Sequence, residues 1–554
     1  MADQGRKYKV AYFYCDKNSI RRGEKMEAIN MKSIVAQAAN RWGDNVALII
    51  DEFEERLTFS DLEYQSNAIA NMLHSIGVEY GDNVAVMLQN RAEFPLTWLA
   101  LSKIGAVMVP INVQYKEYDT SKIIAHSGAK VIITSNAYLP IITSIQGSVS
   151  TLETIMNVDR MGKSDQSILD YHHLVSLEST KQPKVSVFPE SLVNIQYTSG
   201  TTGNPKGCML THEYWLTLAK QFTGSPVNID ENDVMLTAQP FYYMDPQWNF
   251  LTAIKSGARL IMLDRFHPST FMKKVRSYDV SFFSCVGVMP TLLLKTPLSV
   301  EDRNNKLRYV ACSAIPKEIH KEIEDRWGVP WHEMYGATEV GGVTFIPPHY
   351  HGKITGSGTI GCIDKHKEAL IVDETDRPVP RGEVGELVIR GLGIMKGYFK
   401  DQKATNKVFQ GGWFHTGDLV RMDDEGLLYF QGRKKDVIRR SGENISASEV
   451  EDVIKLHESV QNVACIPVPD DIRGEEIKAY IVLKPGFTPE SVPPKELINL
   501  CDQMLAYFKI PRYWEYRSKL PLTASERVAK HILVKEKEDL VTGSYDSAKK
   551  LPVN

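Results

Sequence analysis

From about residue 57 to about residue 345, short, wholly apolar runs alternate with longer segments of helical period. Val84–Leu88, Gly105–Pro110 and Val131–Thr134 read as buried strands. Ser60 reads as the N-cap of a helix over Asp61–His74, in which Leu62, Ile69, Met72 and Leu73 recur at helical spacing. Leu96–Lys103 reads as the next helix. A strand apolar on both faces must be covered on both, so the alternation predicts parallel α/β layering. Between about 355 and 430 the pattern shifts to short strands and turns, Glu386–Arg390 and Leu427–Phe430, which predicts a smaller β-rich unit. A charged junction, Gly432-Arg433-Lys434-Lys435-Asp436, precedes a compact pattern of helix Ser448–Leu456, strands Val463–Val468 and Lys478–Leu483, and helix Pro494–Leu505. The expected division is therefore a large N-terminal α/β domain over residues 1–433 and a small C-terminal α+β domain over 434–554.

The bulk chemistry excludes several classes. With 65 Lys and Arg against 68 Asp and Glu, the net charge is −3. No surface for nucleic acid or anionic membrane is expected from such a balance. The seven cysteines are scattered without a CxxC pair, against a zinc site or disulfide framework and in favour of a reducing cytosol. Met1–Lys7 is not followed by the apolar core of a signal peptide, and no uncharged apolar run reaches the ~18 residues of a spanning helix. The expectation is a soluble cytoplasmic protein, and a homodimer is left open.

The densest chemistry lies in Tyr197-Thr198-Ser199-Gly200-Thr201-Thr202-Gly203-Asn204-Pro205-Lys206-Gly207. It follows the apolar Leu192–Gln196 and precedes Met209–His212, which reads as a helix start. Glycines let backbone N–H groups approach a phosphate, hydroxyls add donors, and Lys206 supplies a point charge. It is not a Walker loop, because the glycine follows the lysine. Further on, Tyr335-Gly336-Ala337-Thr338-Glu339 sets an aromatic that can stack on a base beside a carboxylate that can hold Mg²⁺. Trp413-Phe414-His415-Thr416-Gly417-Asp418 reads as a tight turn presenting a carboxylate to a ribose diol.

In this order and at these separations, the motifs resemble the adenylate-forming superfamily, which includes acyl-CoA synthetases, peptide-synthetase adenylation domains and firefly luciferase. The resemblance covers about residues 35 to 535, and the nearest likeness is to its crotonobetaine/carnitine–CoA ligase branch. It implies a two-step reaction with ATP, Mg²⁺ and coenzyme A: a carboxylate attacks the α-phosphate, pyrophosphate leaves, and a thiol then displaces AMP from the acyl carbon. By position, Thr198, Ser199, Gly200, Thr201, Thr202, Gly203 and Lys206 match the β- and γ-phosphate cradle. Glu339 matches the metal ligand, Thr338 the α-phosphate contact, and Asp418 and Arg433 the ribose contacts. Ser313, Ala314 and Ile315 match the adenine lining, with Tyr335 stacked on the base and Gly336 beside it. The resemblance also implies a C-terminal domain that swings between two poses, with Lys435 at the hinge and Gly442 admitting the pantetheine arm.

One segment departs from the family pattern. Where the family has Pro-x-Thr-x-x-Gly-Lys-Ile, this chain has Pro521-Leu522-Thr523-Ala524-Ser525-Glu526-Arg527-Val528, so arginine stands where the adenylating lysine belongs. Three readings follow. Arg527 does the lysine's work as a bidentate fork. Lys530 reaches in instead. Or adenylation is weak and the protein mainly thioesterifies a supplied acyl-adenylate.

Pro240–Trp248 matches the segment bordering the acyl site. There Tyr243, Asp245, Gln247 and Trp248, with Val288 completing the wall, suit a small or medium acid carrying a cationic or hydroxylated group. The same segment also reads as a structural aromatic cluster with Asp245 capping a turn. Competing functions are loading of an acyl group onto a carrier protein, a nucleotide-binding regulatory relic, and a luciferase-type oxygenase.

Overall fold

The computed structural model describes residues 30–159, 167–198, 206–224, 227–286, 289–434, 437–440, 443–470, 473–505, 507–523, 527–549 and 551–552. Val288, Lys435, Gly442 and the loop residues Ser199, Gly200, Thr201, Thr202 and Gly203 lie outside them. The chain divides into two compact units. The first holds residues up to 368 except the 201–204 stretch, together with 390–412; the second holds 369–389 and the chain from Trp413 onward.

The first unit carries two seven-stranded sheets. One runs in the order Trp331–Glu333, Tyr309–Ser313, Phe282–Val286, Val234–Thr237, Arg259–Met262, Val46–Ile50, Glu55–Thr58. All neighbours are parallel except the last pair. The other runs Ile168–Asp170, Thr154–Asn157, Val131–Thr134, Asn83–Met87, Val107–Pro110, Leu192–Thr198, Lys206–Thr211, again parallel until an antiparallel last pair. The expected layering is thus present, and its cause is visible in burial. Val131–Thr134 and Val107–Pro110 are buried at every position, as strands covered on both faces must be. Helix Glu93–Ile104 is likewise buried throughout.

The helix expected at Asp61 begins two residues earlier. Thr58, not Ser60, caps Phe59–Ser75: its extended backbone lets Oγ1 accept from the Asp61 N–H at 3.1 Å, while the Asp61 carboxylate accepts the Thr58 N–H at 2.9 Å.

In the second unit, Val384–Gly391, Trp413–Met422 and Leu428–Arg433 form an antiparallel group. A second sheet is built on the hairpin Val460–Asp470 and Gly474–Leu483, flanked by Val437–Arg440 and Tyr513–Tyr516. Helices Ala447–Lys455 and Pro494–Met504 bury Val450, Ile454, Leu497 and Cys501 in one core with Ile477 and Trp514. Among the described residues, Cys208, Cys285, Cys312, Cys465 and Cys501 are buried free thiols. No helix among the described residues is long and apolar enough to cross a membrane.

Candidate active site

The stem of the hydroxyl- and glycine-rich loop is a β-hairpin. Leu192–Thr198 pairs antiparallel with Lys206–Thr211, and Thr198 faces Lys206 across the ladder. The loop therefore joins strand to strand, not strand to helix as the sequence suggested. Met209-Leu210-Thr211 continues the strand because Cys208 and Leu210 alternate into the interior at no exposure. The helix starts later, at His212, where Thr211 Oγ1 accepts the Tyr214 N–H at 3.2 Å. The loop thus has no helix N-terminus of its own to hold phosphate.

Tyr335–Glu339 enters a second, very tight hairpin, Gly336–Ala337 against Gly341–Gly342. A Cβ at Gly336 would sit 2.6 Å from the Gly341 carbonyl oxygen, so only glycine fits. Thr338 and Glu339 occupy the tip. The Tyr214 hydroxyl donates to the Thr338 carbonyl at 3.0 Å, and Thr338 Oγ1 lies 3.6 Å from Met244 Sδ. That contact sets the expected acyl segment beside the expected α-phosphate contact. Met395 N donates to the Glu339 carbonyl at 2.8 Å.

The expected adenine lining forms where adjacent parallel strands end. Ser313 Oγ donates to the Met334 carbonyl at 3.1 Å, tying that corner to the segment leading into Tyr335. Ala314 has φ +69°, a left-handed conformation unusual for a residue with a Cβ. Glu333, at the end of Trp331–Glu333, holds it there. Its two carboxylate oxygens accept the N–H groups of Ala314 at 2.5 Å and Ile315 at 2.6 Å. Burial pushes this carboxyl up to about 7, against the downward pull of those donors.

Near the acyl segment, Tyr243 is half-buried, packs 4.7 Å from the Tyr242 ring and accepts from Asn112 Nδ2 at 3.1 Å. Asp245 is half-buried in the first turn of helix Met244–Ser256. Gln247 and Trp248 depart from the expected wall. Gln247 is fully buried: its amide donates to the Phe241 carbonyl at 2.8 Å and accepts from Asn194 at 3.1 Å. Trp248 stacks on Phe222 at 4.0 Å and 11°. The helix is buried on all sides from Pro246 to Ile254, and there the polar and aromatic surfaces of both residues are satisfied by the core.

In the second unit, the two expected ribose contacts are cross-strand partners. Asp418 faces Arg433 in the ladder, and Arg433 Nε pairs with Asp418 Oδ1 at 3.0 Å. The expected tight turn is instead extended strand broken by Gly417 at φ +69°. Glu386 organises this corner by accepting the Gly417 N–H at 3.0 Å and pairing with Lys434 at 2.8 Å and His415 at 3.3 Å. Burial opposes its ionisation, but Lys434 and His415 hold its carboxyl below the ordinary range.

Arg527 is exposed on a second-unit hairpin, closed by the Leu522–Val528 bridge and by the Thr523 N–H donating to the Arg527 carbonyl at 2.7 Å. Glu526 lies outside the described residues. Lys530, its rival, pairs with Glu451 at 2.7 Å, with side chains only 19% and 11% exposed.

Sequence reasoning missed Glu333, Tyr398, Glu386 and Tyr214. Glu333 carried a signal only in its place, a carboxylate two residues before Tyr335. Tyr398 carried none.

A sequence profile described as "AMP-binding enzyme" matches residues 35–399, and one described as "AMP-binding enzyme C-terminal domain" matches 449–527. A crotonobetaine/carnitine–CoA ligase of Salmonella agona (strain SL483) is 32% identical over 514 residues, covering 90% of this chain and 98% of the relative. One of Escherichia coli (strain SE11) is 33% identical over 505 residues, covering 88% and 96%. Among solved structures, ATP-bound MatB from Rhodopseudomonas palustris superposes with a TM-score of 0.83 at 24% identity, covering 93% of this chain and all of that one. o-Succinylbenzoate CoA synthetase (MenE) from Bacillus subtilis, in complex with its acyl-adenylate, gives 0.79 at 25%, covering 92% and 98%.

Proposed function

This chain belongs to the AMP-binding enzyme family, and we propose that it activates a small or medium polar carboxylic acid at the site built around Lys206, Ser313–Ile315 and Tyr335–Glu339. It is an ATP-dependent, AMP-forming acyl-CoA synthetase that uses ATP, Mg²⁺ and coenzyme A. The observation that carries the site is the convergence, within one compact unit, of the purine corner, the Thr338–Glu339 tip and Met244 of the acyl segment.

In the first half-reaction a substrate carboxylate oxygen bonds to the α-phosphorus and the bond to pyrophosphate breaks. Two anions meet, so the step requires neutralising charge. Lys206 supplies it to the β- and γ-phosphates, Thr338 orients the α-phosphate, and Tyr335 stacks on the purine. Glu339 presents a hard oxygen ligand suited to Mg²⁺, which, when bound, spreads the phosphate charge. The family resemblance assigns the ribose to Asp418 and Arg433, which are paired within the second unit. In the second half-reaction the coenzyme A sulfur bonds to the acyl carbon, the carbon–oxygen bond to AMP breaks, and the thiol proton departs. The family resemblance assigns Lys435 to a hinge between the two steps and Gly442 to the passage of the pantetheine arm.

Arg527 takes the adenylating role. Lys530 is engaged by the buried Glu451 within the C-terminal fold, whereas Arg527 is exposed at a hairpin. For the acid, Tyr243 and Asp245 are the open, half-buried groups of the segment, and the carnitine-type ligases among the relatives favour a cationic or hydroxylated substituent. An ATP–pyrophosphate exchange screen over carboxylic acids tests this reading; preference for a long saturated chain overturns it. Unchanged exchange in Arg527→Ala removes that residue from the step. Exchange absent from the wild type with every acid, alongside CoA-dependent turnover of a supplied acyl-adenylate, favours the thioesterifying reading.

A further inference from the structure

The short segment Met395–Phe399 runs between the phosphate-loop stem and the Glu339 tip, and it is bonded to both. Lys396 N donates to the Met209 carbonyl at 2.9 Å, Met209 N to Gly397 at 3.0 Å and Phe399 N to Gly207 at 2.8 Å, with Cys208 and Tyr398 as bridge partners. At its other end Met395 N donates to the Glu339 carbonyl at 2.8 Å. One side chain repeats this link. The Tyr398 hydroxyl donates to Glu339 Oε1 at 3.1 Å, and its ring lies 5.0 Å from Lys206 Nζ. Tyr398 is only 7% exposed. Its N–H donates to Thr405 Oγ1 at 2.9 Å, and a Cβ at the preceding Gly397 would come within 2.7 Å of the Thr405 side chain, so the tyrosine enters from a locked backbone.

Resting on the site assignment above, we propose that Tyr398 is the positioning residue that couples the phosphate lysine to the metal carboxylate. Its hydroxyl fixes the Glu339 rotamer by occupying Oε1, which leaves the second oxygen to turn toward the cation. Its ring face orients the Lys206 ammonium toward the phosphates by a cation–π contact that persists when ATP binds. The two functions separate chemically: the hydroxyl serves the metal and the ring serves the lysine.

The test is ATP binding by calorimetry to the full chain, measured over a Mg²⁺ series and in EDTA, with thermal melting to verify folding. Tyr398→Phe keeps the ring and loses the hydroxyl. A hydrogen bond to a carboxylate is typically worth about a tenfold change in an equilibrium, so its Mg²⁺ requirement should rise by about that factor with binding in EDTA unchanged. Tyr398→Leu should add an approximately threefold loss of ATP binding in EDTA, the size of a modest cation–π contact. Glu339→Gln is the control and should erase the Mg²⁺ dependence. If it does so while Tyr398→Phe leaves that dependence where the wild type has it, the role of Tyr398 is refuted and the site reading stands. If Glu339→Gln leaves it intact, the site reading fails and the Tyr398 proposal falls with it.

Discussion

Glu333→Gln is the most discriminating perturbation of the purine corner. Glu333 accepts two N–H groups, from Ala314 at 2.5 Å and Ile315 at 2.6 Å. Hydrogen bonds to a charged acceptor contribute about 1.5–3 kcal/mol each. Glutamine keeps one acceptor oxygen and turns an NH₂ toward the other N–H. The substitution therefore forfeits one charged bond and leaves two donors facing, a loss of about 2–4 kcal/mol. The left-handed Ala314 itself costs about 1–2 kcal/mol, so the remaining bond no longer secures the turn and the purine lining relaxes. The KM for ATP in pyrophosphate exchange should rise by about tenfold or more, since 1.4 kcal/mol is tenfold. The kcat should change little, because the corner contacts the purine alike in ground and transition states. Adding Ala314→Gly removes the Cβ strain and should recover about fivefold of that loss, equivalent to about 1 kcal/mol. An unchanged KM in Glu333→Gln, a fall confined to kcat, or a double variant worse than the single one would refute the reasoning.

The same residue sets a pH dependence. Burial raises the carboxyl from its ordinary 4.5 to about 7. His320, on helix Lys317–Trp327, and Cys312, on the neighbouring strand, are the titratable groups coupled to it. A folded-state value above the unfolded one means that this group favours folding below about pH 4.5 and loses that contribution as pH rises through about 7. Capping has the opposite requirement, because a protonated oxygen turns an O–H toward one of the two donors. The ATP KM should therefore climb as pH falls below about 7 in the wild type and stay flat in Glu333→Gln, as read from KM–pH profiles.

Five further substitutions separate roles that the motifs alone leave joined. Lys530→Met should lower stability by about 3 kcal/mol in denaturant melts, because it strands the largely buried Glu451, yet leave pyrophosphate exchange intact; Arg527→Ala should do the reverse, with unaltered melts and exchange down at least about a hundredfold, the range lost with a key transition-state charge. Trp248→Ala should cost about 3–5 kcal/mol of stability, as for a stacked core aromatic, and leave the ranking of acids unchanged, whereas Tyr243→Ala should alter the ranking; a re-ranked acid panel in Trp248→Ala would return that residue to the pocket wall. Gly336→Ala should abolish exchange, since its methyl meets the Gly341 carbonyl oxygen at 2.6 Å; full activity would mean that the hairpin yields without consequence.

The α/β layering was legible because a strand covered on both faces has to be apolar throughout, and Val107–Pro110 and Val131–Thr134 are. The candidate reacting groups stand out in the sequence because they sit in unusual residue clusters: four hydroxyls, three glycines and Lys206 within Thr198–Gly207, and an aromatic, a glycine and a carboxylate within five residues at Tyr335–Glu339. Their local geometry was less legible. Met209–Thr211 suits a helix start as well as a strand end, and only pairing with Leu192–Ile195 selects the strand. Gln247 and Trp248 bear the functional groups of a polar pocket, yet the rotation of helix Met244–Ser256 turns both inward onto Asn194 and Phe222.

The sequence by itself determined the class of chemistry, because the order and spacing of phosphate-binding, base-stacking and carboxylate residues along one chain hardly recur for another reaction. Tertiary structure alone decided which neighbours hold those residues in place. Glu333 supports Ala314 across two strands, and Tyr398 reaches Glu339 from 59 positions away. Such partners are chosen by strand register and helix rotation, which depend on pairings between segments remote in sequence and therefore leave no local pattern to read.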